Sequence, residues 1–204
     1  MNTAQIMAKL KNRQPVMMGY DTFKISAVLL PIMEIDGEPH ILFEARSMSL
    51  RRQPGDICFP GGRMEPSDPS ARHCAIRETM EEIGVAAESI ENIQQLDYIV
   101  SDFGRVIYPF AGVIPGSAPI RPNPAEVAET FTVPLQFFLE HEPQRHLVKL
   151  QAIPDKDFPY DLIIGGKDYD WQVRHIEELF YQYKDRVIWG LTAKILHHFV
   201  TLIK

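Results

Sequence analysis

The sequence predicts an α/β domain, with mixed strands and helices layered around one core. Three observations predict it. Two apolar segments of strand length, Ile25 to Pro31 and His40 to Glu44, flank the hairpin signal Ile35-Asp36-Gly37-Glu38. A capped helical segment ends at Gly84, with apolar residues on one side and carboxylates on the other. A last helical segment runs from about Trp189 to Ile203. Strands mixed with helices point to layers. A chain of 204 residues with 45% hydrophobic content is enough for one well-filled domain over 1–204.

The remaining elements follow in chain order. Residues 3–12 read as a short amphipathic helix, ahead of the first hairpin. The helix that ends at Gly84 has cap formers at Ser67, Asp68 and Ser70, and Pro66 and Pro69 suit a first turn. Leu96 to Val100 and Val106 to Ile114 read as a second hairpin, turned at Ser101-Asp102-Phe103-Gly104. Residues 115–124, rich in proline and glycine, read as an ordered surface loop. Pro134 to His141 reads as a short helix, and 147–153 and 160–164 as strands. Gly165-Gly166-Lys167 then reads as a hairpin turn between Ile163-Ile164 and Asp168-Tyr169 rather than a phosphate loop. His197-His198 reads as a structural pair on the final helix; Trp189 and Tyr181-Gln182-Tyr183 read as packing residues.

The chemistry concentrates in the stretch from Gly61-Gly62 to Val85. Arg77, Glu78, Glu81 and Glu82 put four charges into six residues. At about 100° per residue, with Glu78 at zero, Glu82 falls near about 40° and Glu81 near about 300°. The three carboxylates then share a face, and Ile76, Met80 and Ile83 lie opposite, facing a core. Crowded carboxylates repel, and a cation turns the repulsion into binding. Arg77, one turn before Glu81, can hold or neutralise one of the three. A solvated acidic face is the competing reading of such a run. The tight turn Phe59-Pro60-Gly61-Gly62 argues against it, because its amides can approach a ligand closely and it leads to a helix start, a favourable place for phosphate. Oxygen ligands without a histidine or cysteine pair select Mg²⁺ or Mn²⁺ over zinc. Arg46, Arg51 and Arg52 precede the glycine turn and suit phosphate recognition through their planar forks.

Composition bounds the partners. A net charge of −6 and a pI near 5.6 argue against a nucleic-acid polymer. A small anionic substrate remains compatible, since a metal and an arginine cluster reverse the field locally. Cys58 and Cys74 form no CxxC or secreted pattern and read as buried reduced thiols. The N-terminus lacks a signal-peptide pattern and no apolar run spans a bilayer, so a cytoplasmic protein without membrane contact is expected.

The stretch resembles the Nudix box, the signature of Nudix hydrolases, over residues 62–85. Gly62 matches its opening glycine; Arg77, Glu78, Glu81, Glu82 and Gly84 match its second half, and Val85 its closing apolar position. Asp68 stands where the first glutamate usually is, and eight residues, not seven, separate it from Arg77. The segment from Ala45 to Gly62 is similar to the extra motif of the coenzyme A pyrophosphatase branch, which shares the longer spacing, although Gln53 replaces a histidine common there. The runs 123–129 and 188–193 also look like that branch. The resemblance implies an α/β/α sandwich around a mixed β-sheet. It implies metal-dependent hydrolysis of a pyrophosphate bond in a nucleoside diphosphate derivative. For coenzyme A the products are 3′,5′-ADP and 4′-phosphopantetheine. Glu78 and Glu82 are then the first metal ligands and Glu81 a third, Arg77 orients them, and Gly61 and Gly62 contact metal or phosphate. Glu126 or Glu129 supplies the base that activates water, with Glu81 competing for the role. The alternative substrates are ADP-ribose, a nucleotide sugar or a damaged nucleoside triphosphate; a non-catalytic nucleotide sensor is the reading from another class. A homodimer is compatible with the fold.

Overall fold

Asp36 and Gly37, both at positive φ (53° and 82°), close the first hairpin with the turn that matches strand twist. They join β1 (Lys24–Ile35) to β2 (Glu38–Arg46), longer strands than the apolar segments alone suggest. The computed structural model describes residues 1–101 and 104–204. The expected turn at Asp102-Phe103 therefore lies outside the described residues.

The sheet grows from β1 in both directions. β3 (Ile57–Cys58) and β4 (Gly61–Arg63) are short strands on the approach to the helix; β3 pairs with β2 and β4 with β1, Gly61 opposite Val28. β5 (Glu91–Gln95) and β6 (Ile99–Ser101) both pair antiparallel with β7 (Arg105–Ile114). β7 runs parallel to β1, in register from Lys24–Arg105 to Met33–Ile114. β8 (Val127–Pro134) lies antiparallel on the other side of β2. The result is an eight-stranded mixed sheet.

Side-chain alternation along β1 and β2 assigns the two faces. Ala27, Leu29, Met33 and Leu42 pack on one face with Cys74, Ala75 and Ile83 of the helix at Ala71–Ile83. Leu30, Ile41 and Phe43 pack on the other with Phe138, Leu196 and Phe199 from the helices at Leu135–Glu140 and Gly190–Ile203. Helices on both faces of a mixed sheet make the α/β/α sandwich that the resemblance implies. In chain order the helices are α1 (Thr3–Leu10), α2 (Ala71–Ile83), α3 (Leu135–Glu140) and α4 (Gly190–Ile203). α1 stops two residues short of the expected end; a capping box between Asn2 and Gln5 opens it, and none of its residues is buried.

The region after α3 departs from expectation. β9 (Gln144–Leu150) begins before residue 147, and its partner is β10 (Arg174–Tyr183) rather than 160–164. Tyr160–Leu162 is a short 3₁₀ turn, with Leu162 and Ile164 exposed. Apolar character there suggested a strand, but no buried surface is available to make it one. Gly165 and Gly166 take positive φ and lead into another 3₁₀ turn, Gly166–Asp168, so no hairpin forms there. β10 went unread because Glu177-Glu178 breaks its alternation. With β11 (Arg186–Trp189) it completes a separate three-stranded sheet. Among the described residues no helix is long and apolar enough to cross a membrane.

Two loops fix α2 at its ends. Ser70 is the N-cap, its hydroxyl accepting from the His73 amide at 3.2 Å. Gly84 takes the left-handed C-cap, φ 67°, and donates to the Met80 carbonyl. The loop 115–126 then donates from Arg121 to the Ile83 carbonyl and from Asn123 to the Glu82 carbonyl, each at 2.8 Å. These bonds satisfy carbonyls that a helix end leaves open. A Cβ at Gly84 would stand 2.3 Å from the Arg121 carbonyl oxygen. Gly84→Ala is therefore expected to lower unfolding free energy by at least about 1–3 kcal/mol, measured by chemical denaturation; an unchanged midpoint would contradict this account of the helix end.

Candidate active site

The carboxylates on α2 do not share one solvated face. Glu82 is buried, 6% exposed, whereas Met80 is 41% exposed and lies outside the core it was expected to join. Small residues explain the rotation. Ala75 and Thr79 face inward, and the glycines of β4 let the helix approach the sheet closely. A Cβ on Gly62 would lie 2.4 Å from the Glu78 carboxylate, and one on Gly61 would lie 2.4 Å from the Ala27 carbonyl oxygen. The Gly61 amide donates to Glu82 Oε2 at 2.7 Å. Glu82 is thus held at both its main-chain carbonyl and its side chain.

Arg77 sorts the other acids. Its Nε and Nη2 donate to the two oxygens of Asp68 at 3.0 and 2.9 Å, and its Nη1 donates to Glu81 at 3.0 Å. Nη2 also meets Glu78 Oε1 at 2.9 Å and the Arg63 carbonyl at 3.3 Å. The shorter Asp68 side chain, one residue further from Arg77 than usual, still reaches the guanidinium on both oxygens. It also accepts from the Glu65 amide instead of capping the helix. Arg77 and that amide hold the Asp68 carboxyl well below the ordinary carboxylate range. Glu81 remains half exposed, at 53%, while the Glu78 side chain is 16% exposed.

Glu44 joins this group and was missed from sequence. It sits within Ile41–Ala45, a wholly buried run of β2, and is 1% exposed. A single charge inside an apolar strand was the available signal. Its Oε1 accepts from the Cys58 thiol at 3.3 Å, and its Oε2 has no hydrogen-bond partner among the described residues. Burial pushes the Glu44 and Glu82 carboxyls up, and the charge of Glu44 raises Glu82 further. Burial also raises Glu78, against the pull of Arg77. Glu126 is exposed on the loop before β8, and its charge acts on Glu44, Glu78 and Glu82. Glu129 lies apart. Arg186 binds both its oxygens and holds it below its usual range. Cys74 is buried as expected; Cys58 is only partly so.

The arginines divide as well. Arg46 acts on Glu44 and lines a cleft of about 530 Å³ that also includes Asp56, Glu129, Phe180, Arg186 and Trp189. Ala45 and its register partner Glu129 line this cleft, and Ala45 alternates away from Glu44 on β2. Glu44, Glu78, Glu81 and Glu82 do not line the cleft. Arg51 and Arg52 are exposed on the preceding turn and do not line it. Tyr181 is buried and bonds His197, while Trp189 stacks on Phe180 with centroids 5.7 Å apart.

The NUDIX domain family matches residues 23–151. The chain belongs to the Nudix hydrolases. It is 33% identical to the uncharacterized Nudix hydrolase NudL of Photorhabdus laumondii over 177 residues, 87% of this chain and 83% of that protein. It is 35% identical to the peroxisomal coenzyme A diphosphatase NUDT7 of Mus musculus over 132 residues, 65% of this chain and 55% of that protein. A MutT/nudix family protein from Enterococcus faecalis shares the fold, with TM-score 0.52 and 15% identity over all of this chain and 70% of that one. The matched span contains the segment where Arg77 orders the acids.

The raised carboxyls fix a pH dependence. In the cation-free protein Glu44 and Glu82 keep protons at a pH where the unfolded chain has released them. Their contribution to stability is complete below the ordinary carboxylate pKa and is lost as pH rises through the raised range. In EDTA the melting midpoint is expected to fall as pH rises above about 5, and to fall less for Glu44→Gln. A midpoint that is flat over that range, or the same slope in both proteins, would contradict the burial account.

Proposed function

We propose that this Nudix hydrolase cleaves the pyrophosphate linkage of a nucleoside diphosphate derivative, using Mg²⁺ or Mn²⁺ held by Glu78 and Glu82, with Glu81 as a third ligand. The observation that carries the reading is the burial of Glu82 beside Glu78 on the helix that Arg77 orders. The donor set fits a hard cation: it consists of carboxylate oxygens, one of them buried and unpartnered on Glu44. Among the described residues, no three acidic, histidine or cysteine side chains already converge as a metal cage. A cation bound there neutralises phosphoryl oxygens and lowers the pKa of water.

The chain's own groups divide the remaining work. Arg77 keeps Glu78 and Glu81 oriented. The Gly61 amide fixes Glu82 and is thereby committed to the protein. Glu126 is the better-supported base. It is exposed and within electrostatic reach of the buried acids, whereas both oxygens of Glu129 are bound by Arg186. Glu82→Gln should lower kcat by about 10² or more while the fold is kept; near wild-type turnover by the folded variant would sink the assignment.

Two substrate readings share this site. The broader one takes ADP-ribose, a nucleotide sugar or a damaged nucleoside triphosphate. It is supported by the placement of the charged groups, which address a diphosphate and a cation, while Arg51 and Arg52 stand outside the cleft. The narrower one takes coenzyme A. It is supported by the segment Ala45 to Gly62 and by the likeness to the mouse coenzyme A diphosphatase. A panel of these compounds with each metal, read by product mass, separates them. If coenzyme A is the substrate and Arg51 meets its 3′-phosphate, Arg51→Ala raises KM more for coenzyme A than for the dephospho form. Equal effects on both argue for the broader class.

A further inference from the structure

Glu44 is a carboxylate on a strand that is otherwise apolar and buried, and only one of its oxygens is accounted for. Residue 44 stands opposite Cys58 in the β2–β3 register, and the thiol donates to Oε1. That bond fixes the side chain and leaves Oε2 presented, buried and without a hydrogen-bond partner among the described residues. It is presented among the acids of the site, since Glu44 interacts electrostatically with Glu82, Glu78 and Glu126.

Three kinds of charged group can satisfy such an oxygen. Arg46 is a nearby cation of the chain, and its charge reaches Glu44. Its own Nε is also buried and unpartnered, so the two do not satisfy each other. A proton is the second and is kept in the cation-free protein, but no acceptor lies within hydrogen-bond distance of Oε2 among the described residues, so a proton there leaves it unpartnered. A divalent cation is the third. It accounts for the free oxygen of Glu44 and for the crowding of like charges around it.

We propose that Glu44 is a further ligand of the divalent cation, presenting Oε2 from β2 across from the ligands that α2 supplies. The proposal rests on the cation reading of Glu78 and Glu82 above. It makes Cys58 a positioning residue, because its thiol holds Glu44 by the other oxygen. A ligand on the sheet as well as on the helix ties cation binding to the packing of α2 against β2.

The test is Mn²⁺ binding to the EDTA-stripped full chain without substrate, followed by electron paramagnetic resonance of free Mn²⁺. Glu44→Gln is expected to weaken Mn²⁺ binding about tenfold or more, as does Glu82→Gln. Wild-type affinity in Glu44→Gln, with weakened binding in Glu82→Gln, overturns this proposal and leaves the cation reading standing. No binding by the wild type overturns both. Glu44→Leu supplies a second readout and keeps the test open if the glutamine variant fails to fold. Without cation its melting midpoint should equal or exceed that of the wild type, and saturating Mn²⁺ should raise it by less than half as much. An equal rise in the two proteins overturns the proposal.

Discussion

The burial of Glu82 and Glu44 between α2 and the sheet is the constraint on which the rest of the site depends. A buried unpaired polar atom costs about 1–3 kcal/mol, and a buried charge costs more. The protein meets part of that cost with two donors, the Gly61 amide and the Cys58 thiol. Both donors require the short strands β3 and β4 to lie where they do. β4 in turn requires glycine, since any side chain at 61 or 62 would strike β1 or Glu78. The close approach of the helix, the glycine turn and the paired short strands are one solution to one electrostatic problem.

Arg77 solves the complementary problem at the rim. A single guanidinium serves Asp68, Glu78 and Glu81, while among the described residues no cation of the chain bonds the carboxylates of Glu44 and Glu82. The site thus combines acids paired to Arg77 with two buried acids that are not. On the proposed reading, that difference favours a divalent cation at Glu82 over one at the acids Arg77 already holds. The loop 115–126 belongs to the same design. It closes the end of α2 and carries Glu126 up to the inner acids.

Much of this was legible in the sequence. Asp36-Gly37 announced its turn, Gly84 its helix end, and the spacing of Arg77, Glu78, Glu81 and Glu82 its family. Helical periodicity misplaced Met80 and set Glu82 opposite the core without showing its burial, because it counts polarity around the helix axis. The side a helix buries is set by how closely it can approach its neighbour, and here the glycines of β4 decided that. Glu44 was hidden because its role depends on a pairing with Cys58 and on a helix distant in sequence. The strands β10 and β11 were hidden because their sheet is only partly buried, which weakens the alternation that marks a strand.

The central claim is that the inner carboxylates exist to hold a divalent cation. Anomalous diffraction from Mn²⁺-soaked crystals at the manganese edge tests it most directly. The account predicts a peak within ligand distance, about 2.0–2.3 Å, of Glu82 and Glu78 oxygens, with Glu44 Oε2 turned to the same ion. Ordered Mn²⁺ bound elsewhere, with Glu82 and Glu44 sharing a proton across an unoccupied gap, would contradict it.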